Sequence, residues 1–148
     1  MLSSAHAQTT EHIRFSAQAS TPVLSVSQPL QTRLRITNRS QTSRYVFRDL
    51  EYFVTAWAYD GAARSMHKEV VEEVSPPPPL RSDFILLKPG QYIEYIRRER
   101  LGDLGIHKAG QYRIDFDYGM ELSPKGTYGL PVWRGTQRAS VFIQVRAD

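Results

Sequence analysis

The sequence predicts an all-β domain, a sandwich or a barrel, and three observations carry that reading. Short stretches alternate apolar and polar residues with a period of two, most cleanly at residues 30–37 and 111–118. Gly, Pro, Asn and Asp stand at the joins between those stretches, where a chain reverses direction. No segment carries the 3.6-residue rhythm of a long amphipathic helix, and strands do not alternate with such helices. That counts against a parallel α/β sheet and the cofactor-binding folds built on it. With 148 residues, 41% of them apolar and 23% charged, the chain has material for one sizeable core and is short for two domains. Its eight Tyr, six Phe and two Trp suit a pleated, half-buried surface.

The elements follow in order. Residues 1–10 read as a flexible tail and residues 11–148 as the folded domain. Ser3-Ser4-Ala5-His6-Ala7 has the small-x-small spacing of a signal-peptide cleavage point, with no basic or apolar region before it. The tail therefore reads as a signal-peptide remnant, implying a periplasmic or secreted protein, or as a polar tail that matches by chance in a protein of any compartment. His12–Ala17 is a first strand, and Val23–Val26 a short continuation after Pro22. In the strand Leu30–Thr37, Leu30, Thr32, Leu34 and Ile36 share one face, while Gln31, Arg33, Arg35 and Thr37 share the other. Asn38-Arg39-Ser40 turns the chain. Tyr45–Tyr59 is the most apolar segment and reads as one strand, with Trp57 among its aromatics and Asp60-Gly61 as the closing turn.

Met66–Val74 is weakly periodic and reads as an edge strand or as one to two turns of helix. Ser75-Pro76-Pro77-Pro78-Pro79 is a stiff extended connector, since each Pro lacks the donor that a ladder or a helix interior needs. Asp83–Leu87 is a strand and Lys88-Pro89-Gly90 a turn, followed by the strand Gln91–Leu101. Gln111–Tyr118 places Tyr112, Ile114, Phe116 and Tyr118 on one face, with Arg113, Asp115 and Asp117 on a solvated one. A long loop then leads to the last strand, Arg138–Arg146, where Val141, Ile143 and Val145 fall together. About seven main strands result, which favours a sandwich or barrel.

Leu87-Lys88-Pro89-Gly90, Leu104-Gly105-Ile106 and Gly110-Gln111-Tyr112-Arg113-Ile114 carry a resemblance. The chain resembles bacterial immunoglobulin-like and fibronectin type III-like β-sandwich domains, in which a leucine-x-proline-glycine turn opens one strand and a glycine-x-tyrosine a later one. The resemblance implies an all-β, immunoglobulin-like antiparallel sandwich. It implies that Tyr112 is a corner tyrosine bonded to the backbone just upstream, and that Trp57 is the core aromatic of the third strand. The likeness extends over residues 12–146 in architecture but rests on short motifs, and the paired cysteines of antibody domains are missing. A secondary likeness is to small β-sandwich peptidase inhibitors and to propeptide-like domains of secreted metallopeptidases. Shared fold does not carry shared function.

The chemistry is mostly exclusions. The chain has no Cys, which removes disulfides, Cys-ligated zinc, iron–sulfur clusters and thiol catalysis. His6, His12, His67 and His107 show no ligand spacing. Asp115 and Asp117 share a strand face that reads as ordinary sheet surface rather than a calcium or acid–base pair. No Ser lies in a Gly-x-Ser-x-Gly elbow, and the glycines form no phosphate loop. The reading is a non-enzyme with no cofactor and no metal.

Binding is the better class. The loop from Met120 to Thr136 is long and carries Tyr128, Trp133 and Arg134, residue types that anchor interfaces, although Trp133 also suits a lid folded over the open end of the sandwich. The formal charge is +4, with Arg97, Arg98 and Arg100 the one tight basic group, a rim for an anionic partner or a guard on an edge strand. Nucleic acid is not indicated, no apolar run approaches a membrane span, and a homo-oligomer pairing Glu69, Glu72 and Glu73 with that rim is left open. The expected function is a protein-binding or structural accessory module. The alternatives are a β-sandwich peptidase inhibitor, or a carbohydrate-binding module using Trp57, Trp133 and surface tyrosines.

Overall fold

The computed structural model describes residues 12–66, 78–123 and 125–148. The tail, His6, His67, Glu69, Glu72 and Glu73, most of Met66–Val74 and the first part of the proline run lie outside the described residues. Nine strands are described: β1 (Ile13–Ala19), β2 (Val23–Ser25), β3 (Leu30–Asn38), β4 (Arg44–Phe47), β5 (Val54–Asp60), β6 (Phe84–Leu87), β7 (Tyr92–Glu99), β8 (Gly110–Met120) and β9 (Gly135–Arg146). They form a β-sandwich from a three-stranded sheet ordered β1-β3-β7, a four-stranded sheet ordered β2-β9-β8-β5, and a β4-β6 pair. Pairing is antiparallel except for β2 on β9, where Val23, Leu24 and Ser25 run parallel to Gln144, Val145 and Arg146.

Alternation builds the core. Ile13 and Phe15 from β1 and Leu30, Leu34 and Ile36 from β3 point inward against Ile114, Phe116 and Tyr118 of β8 and Val141, Ile143 and Val145 of β9. Each such side chain contributes about 1.5–3 kcal/mol of transfer free energy. The Gln137 side chain closes the β1 side of the sandwich like a short extra ladder: its amide donates to the Ile13 carbonyl and its oxygen accepts from the Phe15 N–H at 2.8 Å. The Tyr112 hydroxyl donates to the Lys108 carbonyl, four residues upstream, at 2.9 Å.

The segment read as one strand from Tyr45 to Tyr59 is broken. Asp49 accepts from the Glu51 N–H at 3.1 Å and starts a 3-10 turn over Leu50–Phe53, with Leu50 buried. The chain thereby changes partners, from β6 before the turn to β8 after it. With Val54 and Ala58 buried, the pleat turns Trp57 outward, opposite Asp115 of β8. Trp57 is therefore half-buried on the outer face and not the core aromatic. The core tryptophan is Trp133, only 8% exposed and stacked on Tyr118 with ring centroids 5.7 Å apart. The strand expected over Gln91–Leu101 likewise ends at Glu99, and a 3-10 turn over Leu101–Leu104 follows. Gly105 closes that turn at φ +82°, where a Cβ would also meet the Met66 carbonyl oxygen at 1.9 Å.

Asn38, at the end of β3, is fully buried. Its amide nitrogen donates to the Thr42 and Leu87 carbonyls at 2.9 and 2.8 Å; its oxygen accepts from the N–H and hydroxyl of Ser40 at 2.9 and 2.7 Å. Its main chain is used as well, donating to Gln91 and accepting from Gly90. One residue thus ties β3, the end of β6 and the Lys88–Gly90 turn together. Asn38→Ala should lower stability by about 2–4 kcal/mol, because it removes a buried donor from the Leu87 carbonyl and three half-buried hydrogen bonds at once. Urea unfolding measures this; a loss below about 1 kcal/mol would mean that packing alone holds the joint.

Candidate functional site

The late loop is strapped to the body. Val132 bridges to Tyr45, and the Trp133 N–H donates to the Tyr45 carbonyl at 3.1 Å. Arg134 donates to the Leu122 carbonyl at 2.7 Å, the Thr127 hydroxyl at 2.6 Å and the Val132 carbonyl at 3.2 Å, so its fork braces the loop from within. Tyr128 adopts φ +57° and keeps 47% of its surface exposed, while its hydroxyl donates to the Pro79 carbonyl at 2.8 Å. Of the three anchors read from the sequence, only Tyr128 presents an exposed ring. Trp133 lies under the loop as a lid.

The basic rim does not assemble. The pleat of β7 turns Arg97 inward, where it donates to the Val54 carbonyl at 3.0 Å, pairs with Glu99 at 3.0 Å and lies 5.8 Å from the Phe116 ring centroid. Burial raises the Glu99 carboxyl above its usual range, opposed by Arg97. Arg98 points outward and Arg100 stands past the strand end, 4.0 Å from Asp103. Neighbours in sequence therefore face opposite sides of the sheet.

The outer face of the four-stranded sheet brings together groups that the sequence left apart. Strand pairing lines up Tyr59, Arg113 and Phe142 in one row, Trp57, Asp115 and Ser140 in the next, and Thr55, Asp117 and Arg138 in a third. Asp115 is not solvated: it is 2% exposed and accepts from Arg113 Nε at 3.0 Å and the Ser140 hydroxyl at 2.7 Å, with Arg138 at 3.8 Å. Asp117 takes Arg138 Nε at 2.6 Å and Nη2 at 3.2 Å, and this hydrogen bond holds the guanidinium above its ordinary pKa. Both carboxylates are thus engaged by arginines. Arg113 also lies 4.6 Å over the Tyr59 ring, so its guanidinium is held from two sides.

Beside these rows runs a cleft of about 520 Å³, lined by Pro22, Val23, Asp60, Gln111, Arg113, Phe142 and Gln144. Phe142 is 72% exposed in the middle of the interior strand β9. Gln111 and Gln144 face each other across β8 and β9, next to the Arg113–Phe142 pair. The rings expected for carbohydrate contact are not the ones presented here: Trp133 is buried, Trp57 half-buried, and Phe142 takes the exposed place. Its signal was in the sequence, since a strand that turns Val141 and Ile143 inward must turn Phe142 out.

Among the described residues no three His, Cys, Asp or Glu side chains gather where they could hold a metal ion, and the chain has no cysteine. No helix among them is long and apolar enough to cross a membrane.

No protein-family model and no curated protein matches the sequence. Among solved structures, the chain is similar over 90% of its length to a β-glucosidase from Erythrobacter marinus, at 14% identity and TM-score 0.45, and spans 15% of that enzyme. It is similar over 92% of its length to the CARDB domain of a Pyrococcus furiosus protein in complex with di-metal ions, at 11% identity and TM-score 0.46, spanning 94% of that chain. A third similarity is to the complex of the Salmonella enterica SafA pilin with the SafB chaperone, at 15% identity and TM-score 0.35, over 91% of this chain and 56% of that one.

Asp60 shapes one rim of the cleft. Its Oδ1 accepts from the Ala62 and Arg64 N–H groups at 2.9 Å each. The Arg64 N–H above all, with the Ala62 N–H and the Arg64 guanidinium, holds the carboxyl below its ordinary pKa. A depressed carboxyl stabilises the fold above its unfolded pKa, and that contribution is lost as pH falls through the folded value. Asp60→Asn should therefore lower the Tm at pH 7 and leave it unchanged at pH 2, read by thermal melts across pH. An equal drop at both would show that the turn depends on shape alone.

Proposed function

We propose that the chain is a non-catalytic binding module that takes a saccharide in the Phe142 cleft. The observation behind this reading is a phenyl ring, 72% exposed at the centre of a rigid sheet and flanked by two amides and a guanidinium. A pyranose has an apolar C–H face and a rim of hydroxyls. Phe142 offers a flat apolar surface to the first, while Gln111, Gln144 and Arg113 supply donors and acceptors for the second. Strand pairing fixes the backbone beneath these groups, and Tyr59 and Asp115 hold Arg113, so little freedom is lost on binding.

A second reading keeps the same surface for a protein partner, with Phe142 as a hot-spot anchor. The 37% exposed Val23, which also lines the cleft, favours it by enlarging the apolar patch.

Calorimetric titration with a panel of soluble neutral glycans separates the two. The saccharide reading expects at least one glycan to bind, and Phe142→Ala to weaken it at least about tenfold. The Tm should hold, because the ring lies outside the core. If no glycan binds while a protein partner is captured by the wild type and lost by Phe142→Ala, the protein reading replaces it. If Phe142→Ala changes neither, the cleft is not the site.

A further inference from the structure

The opposite side of the sandwich carries a row of arginines with no role in the cleft. Alternation along β1, β3 and β7 turns Ile13, Phe15, Leu30, Leu34 and Ile36 into the core, so Arg14, Arg33, Arg35 and Arg98 lie on the outer face. Strand register sets their order. Arg14 pairs with Thr37, two residues from Arg35; Arg98 pairs with Gln31, two residues from Arg33. With strands about 4.8 Å apart and alternate residues about 6.8 Å apart, the four positions form a diagonal row with steps of about 7–8 Å.

Acid on this face is scarce. Among the described residues Glu94 is the one acidic side chain at the outward positions of the sheet, and it is shared between Arg33, at 3.6 Å, and Arg35. Among the described residues Arg14 and Arg98 have no acidic partner. The described outward positions of this sheet thus set four arginines against one glutamate. Between the arginines stand Ser16, Gln18, Gln31 and Thr37, short polar side chains that donate and accept hydrogen bonds.

We propose that this face binds an acidic polysaccharide, its carboxylate or sulfate groups seated along the row Arg14–Arg35–Arg33–Arg98. A guanidinium fork matches either group in a bidentate fashion, and the amides and hydroxyls between the forks meet the hydroxyls of the intervening sugar. The line of charges suits a linear polyanion. A bilayer would ask for side chains that insert, but the Tyr92 ring is stacked under the Arg35 guanidinium at 4.1 Å, leaving Ile96 as the exposed apolar group beside the row. A single-stranded nucleic acid would ask for a platform of free aromatic rings, and among the described residues Tyr92 is the one aromatic at the outward positions of this sheet.

The test uses the full chain, with alginate and dextran sulfate as probes, neutral dextran, phosphatidylglycerol vesicles and oligothymidylate as comparators, and calorimetry as the readout. The wild type should bind at least one acidic polysaccharide in preference to the comparators, with affinity falling at least about tenfold between low and about 0.5 M salt. Arg14→Gln with Arg98→Gln should weaken binding at least about tenfold, at unchanged Tm because neither arginine is ion-paired among the described residues. Lys125→Gln with Arg146→Gln removes the same charge elsewhere and should change affinity less than about threefold. Glu94→Gln should tighten it, and Phe142→Ala should leave it unaltered, so this outcome is independent of the cleft. Equal weakening by both double variants would reduce the effect to net charge and overturn the proposal. Tighter binding to vesicles or oligothymidylate, or equal binding to neutral dextran, would overturn it too.

Discussion

The Asn38 side chain sits where three chain segments meet away from water, and both ends of its amide are used. Without it the Leu87 carbonyl would lose a buried donor, at a cost of about 1–3 kcal/mol, and the half-buried Ser40 and Thr42 groups would lose a partner. Because the same residue closes β3 and anchors the Lys88–Gly90 turn, it joins the three-stranded sheet to the β4-β6 pair. Gln137 does similar work at the other seam, standing in for a missing strand between β9 and β1. Two side-chain amides therefore complete a hydrogen-bond pattern that the backbone leaves unfinished.

The same pleat governs everything presented to solvent. In β3 and β8 the alternation is strict enough that inward and outward residues are plain from the sequence, and the structure places them so. Tyr45–Tyr59 defeats that logic because it is apolar on both sides, and a period of two gives no phase when both faces qualify. The break depends on one capping aspartate, Asp49, and the strand that restarts after Leu50–Phe53 takes its phase from Val54. That phase sends Trp57 outward and leaves the core place to Trp133, which sits in a loop where periodicity carries no information.

Charge shows a similar divide between what adjacency suggests and what pairing delivers. Arg97, Arg98 and Arg100 are close along the chain, yet a strand turns successive residues to opposite faces. Arg14, Arg33, Arg35 and Arg98 are scattered over three segments and become neighbours only through register, which depends on which strands pair. Phe142 was more legible, since its burial state follows from its own strand. Asp115 was not: its exclusion from water depends on two arginines and a serine, one of the arginines and the serine supplied by the adjacent strand.

The two outer faces are electrostatic opposites made from the same residue types. On β8 and β9 two arginines meet two aspartates, so the surface beside Phe142 is close to neutral and its polar groups are already oriented. The saccharide contact proposed there would be short-ranged and tolerant of salt. On β1, β3 and β7 one glutamate serves two arginines and, among the described residues, two more stand unopposed, so the field extends outward and weakens with ionic strength. The faces share no side chain and lie on opposite sides of one packed core. Occupying one would leave the contacts of the other in place, so the two proposed ligands would not compete.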